Sequence, residues 1–334
     1  MTLNALSVDL EEYFQVSNFE RVIDREQWHA LPSRVADTTR RLLDAFDVTG
    51  SRATFFVLGW VAERHGDLVR EIAARGHEIA CHGYGHELVY DLGPDRFRDD
   101  LQRARKAIED AVSAPVRGYR APSFSITRRS LWALPILAEE GFSFDSSIFP
   151  IRHHRYGMPE FSHEPVCLDL GSGASIHEFP MTTLRAGPLR LPLAGGAYLR
   201  FLPGTFFRWG FERLVRAGQP TVVYVHPWEF DPDQPRQDVG WKVRINHYHG
   251  LDRNESRLQR LLERFDFAPV GEILGHLERV AKLPRCTLAE FTEGAPSTHH
   301  EDPTEYAGSR QNFPAWIPTT GEDKPLLPRL THRR

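Results

Sequence analysis

His82 and His86, four positions apart in ACHGYGHE (residues 80–87), are the first residues of this chain whose types and spacing suggest chemistry. Imidazole is the commonest protein ligand for metals. On a helix, that spacing would bring both rings to one face. Gly83 and Gly85 argue against a helix here, because glycine disfavours a helix interior. The alternative is a strand end running into a tight loop, with both rings turned to one point, as a metal would require. Taken alone, the pair reads equally well as two surface histidines in a turn.

Other ionisable residues stand in comparable places. Asp9, Glu11 and Glu12 end or follow the apolar run ALSVDL, Arg120 lies in VRGYRAP, and His226 closes TVVYVH. In α/β proteins, ligands gather at the carboxyl ends of the strands. An ionisable group on a buried strand is costly unless paired or metal-bound, so several strand ends carrying one together point to a site. Two imidazoles and a carboxylate form a common catalytic zinc set that leaves a position for water. Asp9 and Glu11 are i, i+2 on a strand and can face the same side. One carboxylate can bind metal while the other takes a proton from the attacking water. Arg120 would hold the second carboxylate ionised and oriented, and His226 can donate a proton to a leaving group. Together these residue types fit metal-assisted hydrolysis of an amide or ester.

The elements that must position them follow a regular rhythm. Strand-like runs at 5–10, 53–59, 77–81, 116–122, 142–147 and 221–226 alternate with helical patterns at 67–75, 94–108, 128–140, 203–218 and 254–265. A further helix runs to about Phe46, with Ser33 as its expected cap. This alternation predicts a parallel α/β sheet, open or closed into a barrel. Residues 150–200 break the rhythm and read as loops with a β insertion. From Cys286 the chain is rich in Pro, Gly, Ser, Thr and charge, and a mostly disordered tail is expected over 286–334.

Composition narrows the class further. A net charge of −4 implies no broad basic surface for nucleic acid. The 3 cysteines are widely spaced and form no CxxC, which argues against a disulfide framework or a Cys-based zinc site. The opening MTLNALSVDL has no basic stretch and no long apolar run, so neither a signal peptide nor a membrane span is expected and the cytoplasm is the default location.

The ordered set SVDLEEYF, ATFFVLG, GHEIACHGYGH, RGYRAPSFS, FDSS and VVYVHP resembles the motifs of NodB-like polysaccharide deacetylases, carbohydrate esterase family four, over roughly residues 5–230. EYFQVSNFE, RHHRYG, LAGGAYLR and HPWEFDPDQPR are similar to the branch found with bacterial exosortase and exopolysaccharide gene clusters, whose extra C-terminal region residues 235–275 resemble. The resemblance implies a distorted (β/α) barrel, usually of seven strands, as one domain over residues 1–285. It implies Asp9 as general base, oriented by Arg120. His82 and His86 become metal ligands, with Glu11 or Glu12 as the third. The Ser123 N–H would help to hold the oxyanion, and His226 would be the general acid. Zinc is the expected ion, with cobalt, nickel or manganese as alternatives. The substrate implied is an N-acetylated sugar of a bacterial exopolysaccharide or its precursor. Relatives that deformylate lipid-linked sugars or open cyclic amides keep the same kit, and a non-catalytic glycan-binding barrel is a further alternative. Family members often tune the acid histidine with an aspartate on the preceding strand; here Glu178 is the candidate. The segment 151–161, with Arg155 and Tyr156, is expected at the substrate rim.

Overall fold

The apolar run Asn4–Leu10 forms β1, buried along its whole length. Burial on both faces is what a strand inside a parallel sheet requires. The computed structural model describes residues 3–153, 155–171, 173–187 and 189–292. The strands after β1 are β2 (Thr54–Val57), β3 (Glu78–Cys81), β4 (Gly118–Tyr119), β5 (Phe144–Asp145), β6 (Val166–Gly171) and β7 (Ala174–Glu178). They are followed by β8 (Thr183–Ala186), β9 (Leu189–Pro192), β10 (Thr221–Val225) and β11 (Arg285–Thr287). The main sheet runs β10-β1-β2-β3-β4-β5-β7-β6-β11, and its first seven strands are mutually parallel.

The free edge of β10 is met by irregular chain rather than by a strand ladder. Tyr224 N–H donates to Ala194 O at 2.7 Å, and Gly196 N–H donates to Tyr224 O at 2.9 Å. This approach needs glycine: Gly195 has φ +112°, and a Cβ there would lie 2.1 Å from Tyr224 O. The result is a seven-strand parallel arc, with the segment between β9 and β10 laid along the free edge of β10. The expected β insertion is two hairpins, β6–β7 and β8–β9.

The helices lie where apolar periodicity placed them, and the differences have local causes. Residues 128–140 split into a 3₁₀ turn, Arg128–Ser130, and the helix Ala133–Glu139. Pro135 falls in the first turn of that helix, where a missing N–H breaks no intrahelical bond. The strands expected at 116–122 and 142–147 shrink to two residues each; the Arg120 N–H still donates to Cys81 O and the Ser146 N–H to Tyr119 O, but the Ala121 N–H turns to Ser147 Oγ at 2.7 Å. The helix Val35–Thr49 is not capped by Ser33: the Arg34 N–H is accepted by Glu12 Oε2 at 3.0 Å.

The tail boundary expected after residue 285 falls inside β11, which pairs with β6 and is followed by the helix Ala289–Thr292. Cys286, Leu288 and Phe291 pack on the core, and this apolar anchorage outweighs the polar composition around them. The rest of the expected tail, 293–334, lies outside the described residues. Within 235–275, Ala268 docks on β1 through Leu6 N–H to Ala268 O at 3.2 Å and Ala268 N–H to Asn4 O at 3.0 Å. No helix among the described residues is long and apolar enough to cross a membrane.

His77, just before β3, stitches that strand to β2 by accepting the Ala53 N–H at Nδ1, at 3.1 Å. Burial between Phe46 and Phe55 depresses its pKa from 6.5 to about 4. The unfolded chain therefore takes up this proton first as pH falls. The stabilisation from neutral His77 is full above pH 6.5 and is lost between 6.5 and about 4, roughly 2–3 kcal/mol in all. In urea unfolding, the stability difference between wild type and His77→Gln should shrink by about that amount from pH 7 to pH 4.5. A difference independent of pH would contradict this account.

Candidate active site

Arg120 follows β4 and is completely buried. A guanidinium with no exposure must find partners for its N–H groups. Nη1 donates to Asp9 Oδ1 at 2.7 Å and to Ser7 Oγ at 2.8 Å. Nε donates to Ser146 O and Nη2 to Ser146 Oγ, each at 2.9 Å. Asp9 is thereby fixed at the carboxyl end of β1, in line with the expected pairing.

Beside Asp9, one ligand atom each from Glu11, His82 and His86 lies within 4.8 Å of the others, and all three residues are buried. The His82 Nδ1–H donates to Arg120 O at 2.8 Å. A carbonyl only accepts, so Nδ1 carries the proton and the Nε2 lone pair is free. Burial first, and the neighbouring His86, depress His82 to about 4 despite the pull of Asp9 and Glu11, so the ring is neutral at pH 7. Burial alone would raise Glu11, but His86, His226 and His82 bring it down to about 2. Its Oε2 stands 2.9 Å from His86 Nε2 yet accepts no aligned hydrogen bond. A buried carboxylate oxygen and two imidazole nitrogens turned to one point suit a divalent cation. The three donors therefore fit the expected ion, and they are the only such cluster among the described residues.

The neighbouring acids have separate tasks. Glu12 turns away from the cluster: Ser33 Oγ donates to its Oε1, and its carboxylate accepts the Arg34 N–H. Glu12 caps a helix, whereas Glu11 faces the histidines. The Glu11 carboxylate is also held from behind, accepting the Trp228 Nε1–H at 2.9 Å.

His226 follows β10 with Nε2 directed at the same point, 3.8 Å from Asp9 Oδ2 and 3.7 Å from Glu11 Oε1. Its Nδ1 faces Glu229 Oε2 at 3.2 Å. Burial opposes the charged ring, but Glu229, with Glu11 and Asp9, outweighs it and lifts His226 to about 9. Glu229 is itself anchored, its Oε1 accepting the Arg200 Nε–H at 2.9 Å with both side chains buried. Arg200 in turn donates to the carbonyls of Asn246, His247 and His249.

Glu178 does not orient His226, contrary to expectation. It is buried at the end of β7 opposite Asp145, and its Oε1 accepts the Ile148 N–H at 2.9 Å. Glu229 fills that role because HPWE folds into the 3₁₀ turn Pro227–Phe230, which brings position i+3 back under the histidine. The signal was local, an acid three residues after His226 with proline between, rather than on the preceding strand.

Ser123 lies in the turn directly after Arg120, at φ +52°. Its Oγ sits 2.8 Å from Ser17 Oγ, which ties this turn to the segment after β1. Tyr156 stacks on His153 and Phe149 and shares a 3.0 Å hydrogen bond with Tyr198. A cleft of about 420 Å³ opens beside His86, lined among others by Phe14, Gln15, Ser17, Arg25 and Trp28.

The parallel α/β arc thus gathers carboxylates, imidazoles and a buried arginine at its carboxyl end. Residues 28–138 match the family model described as Polysaccharide deacetylase, and residues 146–275 match a Domain of unknown function, DUF3473. The chain thus carries a polysaccharide deacetylase domain followed by DUF3473. A peptidoglycan-N-acetylglucosamine deacetylase of Bacillus cereus is 29% identical over 96 residues, 28% of this chain and 35% of that protein. A chitooligosaccharide deacetylase of a Bradyrhizobium species is 32% identical over 101 residues, 30% of this chain and 43% of that protein. The matched region therefore spans less than half of these relatives. Among solved structures, a Mycobacterium smegmatis protein assigned to the polysaccharide deacetylases aligns with TM-score 0.58 and 23% identity over 85% of this chain and 92% of its own. The PuuE allantoinase aligns with TM-score 0.56 and 16% identity, over 84% and 91%. Both structures share the fold.

The two neighbouring acids should separate cleanly on substitution. Glu12→Ala removes a helix cap and should cost roughly 0.5–2 kcal/mol in urea unfolding while bound zinc stays near wild type. Glu11→Ala should lose zinc at low ion concentration. Metal analysis of both variants checks this; loss of zinc in Glu12→Ala alone would place the ligand one residue later.

Proposed function

We propose that this protein is a metal-dependent amide hydrolase that removes N-acetyl groups from sugars of a bacterial exopolysaccharide or its precursor. The observation that carries the reading is the convergence of Glu11, His82 and His86 with the Asp9–Arg120 and His226–Glu229 pairs at one end of the parallel arc. The deacetylase relatives, named for N-acetylglucosamine in peptidoglycan and for chitooligosaccharides, support an N-acetylated glycan as substrate class. The narrower choice of exopolysaccharide rests on the motif resemblance alone.

Glu11, His82 and His86 would hold the cation, with zinc as the first choice and cobalt, nickel or manganese as alternatives. When bound, such an ion supplies Lewis-acid polarisation of the acyl group and lowers the pKa of water. Asp9, held at Oδ1 by Arg120, takes a proton from the attacking water at its other oxygen, Oδ2. The Ser123 N–H contributes to holding the oxyanion. His226, protonated at neutral pH because Glu229 faces its Nδ1, gives the Nε2 proton to the departing amine as the C–N bond breaks. The products are a free amino sugar and acetate. The cleft beside His86 gives the neighbouring glycan residue a place to lie, with Trp28 and Phe14 as apolar walls.

Acetate release from a panel of N-acetylated oligosaccharides tests the reading. Asp9→Asn and His226→Ala should keep near-stoichiometric zinc and lose roughly 10²–10⁴ in kcat. His82→Ala and His86→Ala should lose zinc as well as turnover. Chelated wild type should be inactive and recover on adding zinc. Acetate release that survives chelation, or an Asp9→Asn enzyme at full rate, would refute the mechanism.

A further inference from the structure

The loop between His82 and His86 must bend sharply and still deliver both rings to Glu11. Gly83 at φ +74° and His86 at φ +54° both take left-handed backbone conformations. For a side chain other than glycine this conformation is strained, and it persists only where the surroundings impose it. Three carbonyls of the loop are held from one side. Gly83 O accepts the Gly59 N–H at 2.9 Å, Tyr84 O accepts the Trp60 N–H at 3.1 Å, and Gly85 O accepts the Arg25 Nε–H at 3.0 Å. Among the N–H groups, that of Gly83 donates to Cys81 Sγ at 3.4 Å, and the next is held by Asp100. Its Oδ2 accepts the Tyr84 N–H at 3.0 Å.

Asp100 lies on the helix Pro94–Val112, whose buried stripe of Phe97, Leu101, Ala104 and Ile108 fixes it to the core. A Cβ on Gly83 would stand 2.9 Å from Asp100 Oδ2, so the loop and the carboxylate are fitted to each other. None of the three ion-binding side chains is among its hydrogen-bond partners.

We propose that Asp100 is a positioning residue for the metal site: by clamping the Tyr84 N–H, against a Gly83 that leaves it room, it fixes the loop so that His82 and His86 meet Glu11. This rests on the metal reading above. Losing an outer-shell group that orients ligands typically costs 10–100-fold in metal affinity.

The test uses the full chain at pH 8, above the value of about 6 to which burial lifts the Asp100 carboxyl. Zinc affinity is measured by chelator competition, and site geometry by the visible spectrum of the cobalt-loaded protein. Asp100→Ala should bind zinc 10–100-fold more weakly than wild type and show a changed cobalt spectrum, with Asp100→Asn, which keeps one acceptor, between the two. Glu109→Ala is the control. It removes an equivalent acceptor on the same helix, one that serves the Val116 N–H at 3.0 Å, far along the helix from the loop. It should lower thermal stability and leave zinc affinity unchanged. The inference is overturned if folded Asp100→Ala binds zinc like wild type with an unchanged cobalt spectrum, or if Glu109→Ala weakens zinc equally. Should Asp100→Ala fail to fold, Asp100→Asn decides by the same two readouts. A wild-type chain that binds no divalent ion overturns the metal reading itself and this inference with it, a result visible before any variant is made.

Discussion

The buried guanidinium of Arg120 is the constraint around which the site is built. Its charge has no access to water, and an unpaired buried charge is not tolerable. It is held by Ser7 and Asp9 of β1 and by Ser146 just beyond β5, and its planar face lies over Phe56, with Cζ 4.0 Å from the ring centroid. Ser146 Oγ in turn donates to Phe179 O, past the end of β7. One side chain therefore ties β1, β5 and the end of β7 to β4. Its own carbonyl sets the tautomer of His82. Breaking such a pair by removing one partner typically costs about 3–5 kcal/mol, so the geometry of the site and the packing of these strands are hard to vary separately.

The site is a composite of three stretches of sequence. Asp9 and Glu11 precede the polysaccharide deacetylase match, His82, His86 and Arg120 lie within it, and His226, Trp228, Glu229 and Arg200 belong to the DUF3473 match. The pieces are joined by a second apolar cluster, in which Tyr13, Phe14, Phe19 and Trp28 pack with Trp228 and Leu251. Trp228 also stacks between His226, at 5.1 Å, and His247, at 4.3 Å, while its indole N–H holds Glu11. The DUF3473 match thus supplies His226, the carboxylate of Glu229 that faces its Nδ1, and the Arg200 guanidinium that anchors that carboxylate.

Much of this was legible in the sequence because each residue announced itself by being polar at the end of an apolar strand. That rule placed Asp9, His82, His86, Arg120 and His226 on one end of one sheet without any knowledge of distances. It failed where the relevant partner lies far away in the chain. Strand alternation paired Glu11 with Asp9, but nothing local showed that Glu12 belongs to a helix starting some twenty residues later. Asp100 sits among exposed charges on an amphipathic helix, and only the fold brings it under the histidine loop. Glu229 is the opposite case, a near neighbour overlooked because the acid was sought on the preceding strand. The tail boundary failed for a third reason: composition averaged over many residues hides the few apolar ones, Cys286, Leu288 and Phe291, that pin β11 and the turn after it.

Asp145 and Glu178 show how far charge balance governs the interior. Both are completely buried, paired across β5 and β7, just behind Arg120. Arg120 is already matched by Asp9, so its positive charge cannot neutralise two further carboxylates. Burial raises both acids, Asp145 to about 6 and Glu178 well above its ordinary range, the latter further raised by Asp145. Each keeps one oxygen satisfied from elsewhere, Asp145 Oδ1 by Ser147 Oγ at 2.5 Å and Glu178 Oε1 by the Ile148 N–H at 2.9 Å. The other oxygens, Asp145 Oδ2 and Glu178 Oε2, have no other partner. Like charges at such a site cannot both ionise, and a proton held on Glu178 and offered to Asp145 satisfies both remaining oxygens at once. The pair then carries one charge instead of two. Asp145, through Ser147, which accepts the Ala121 N–H at 2.7 Å, holds the backbone immediately after Arg120. The glutamate expected to tune the acid histidine instead lowers the charge beneath the arginine, and Asp9 is the carboxylate that Arg120 holds by a direct hydrogen bond.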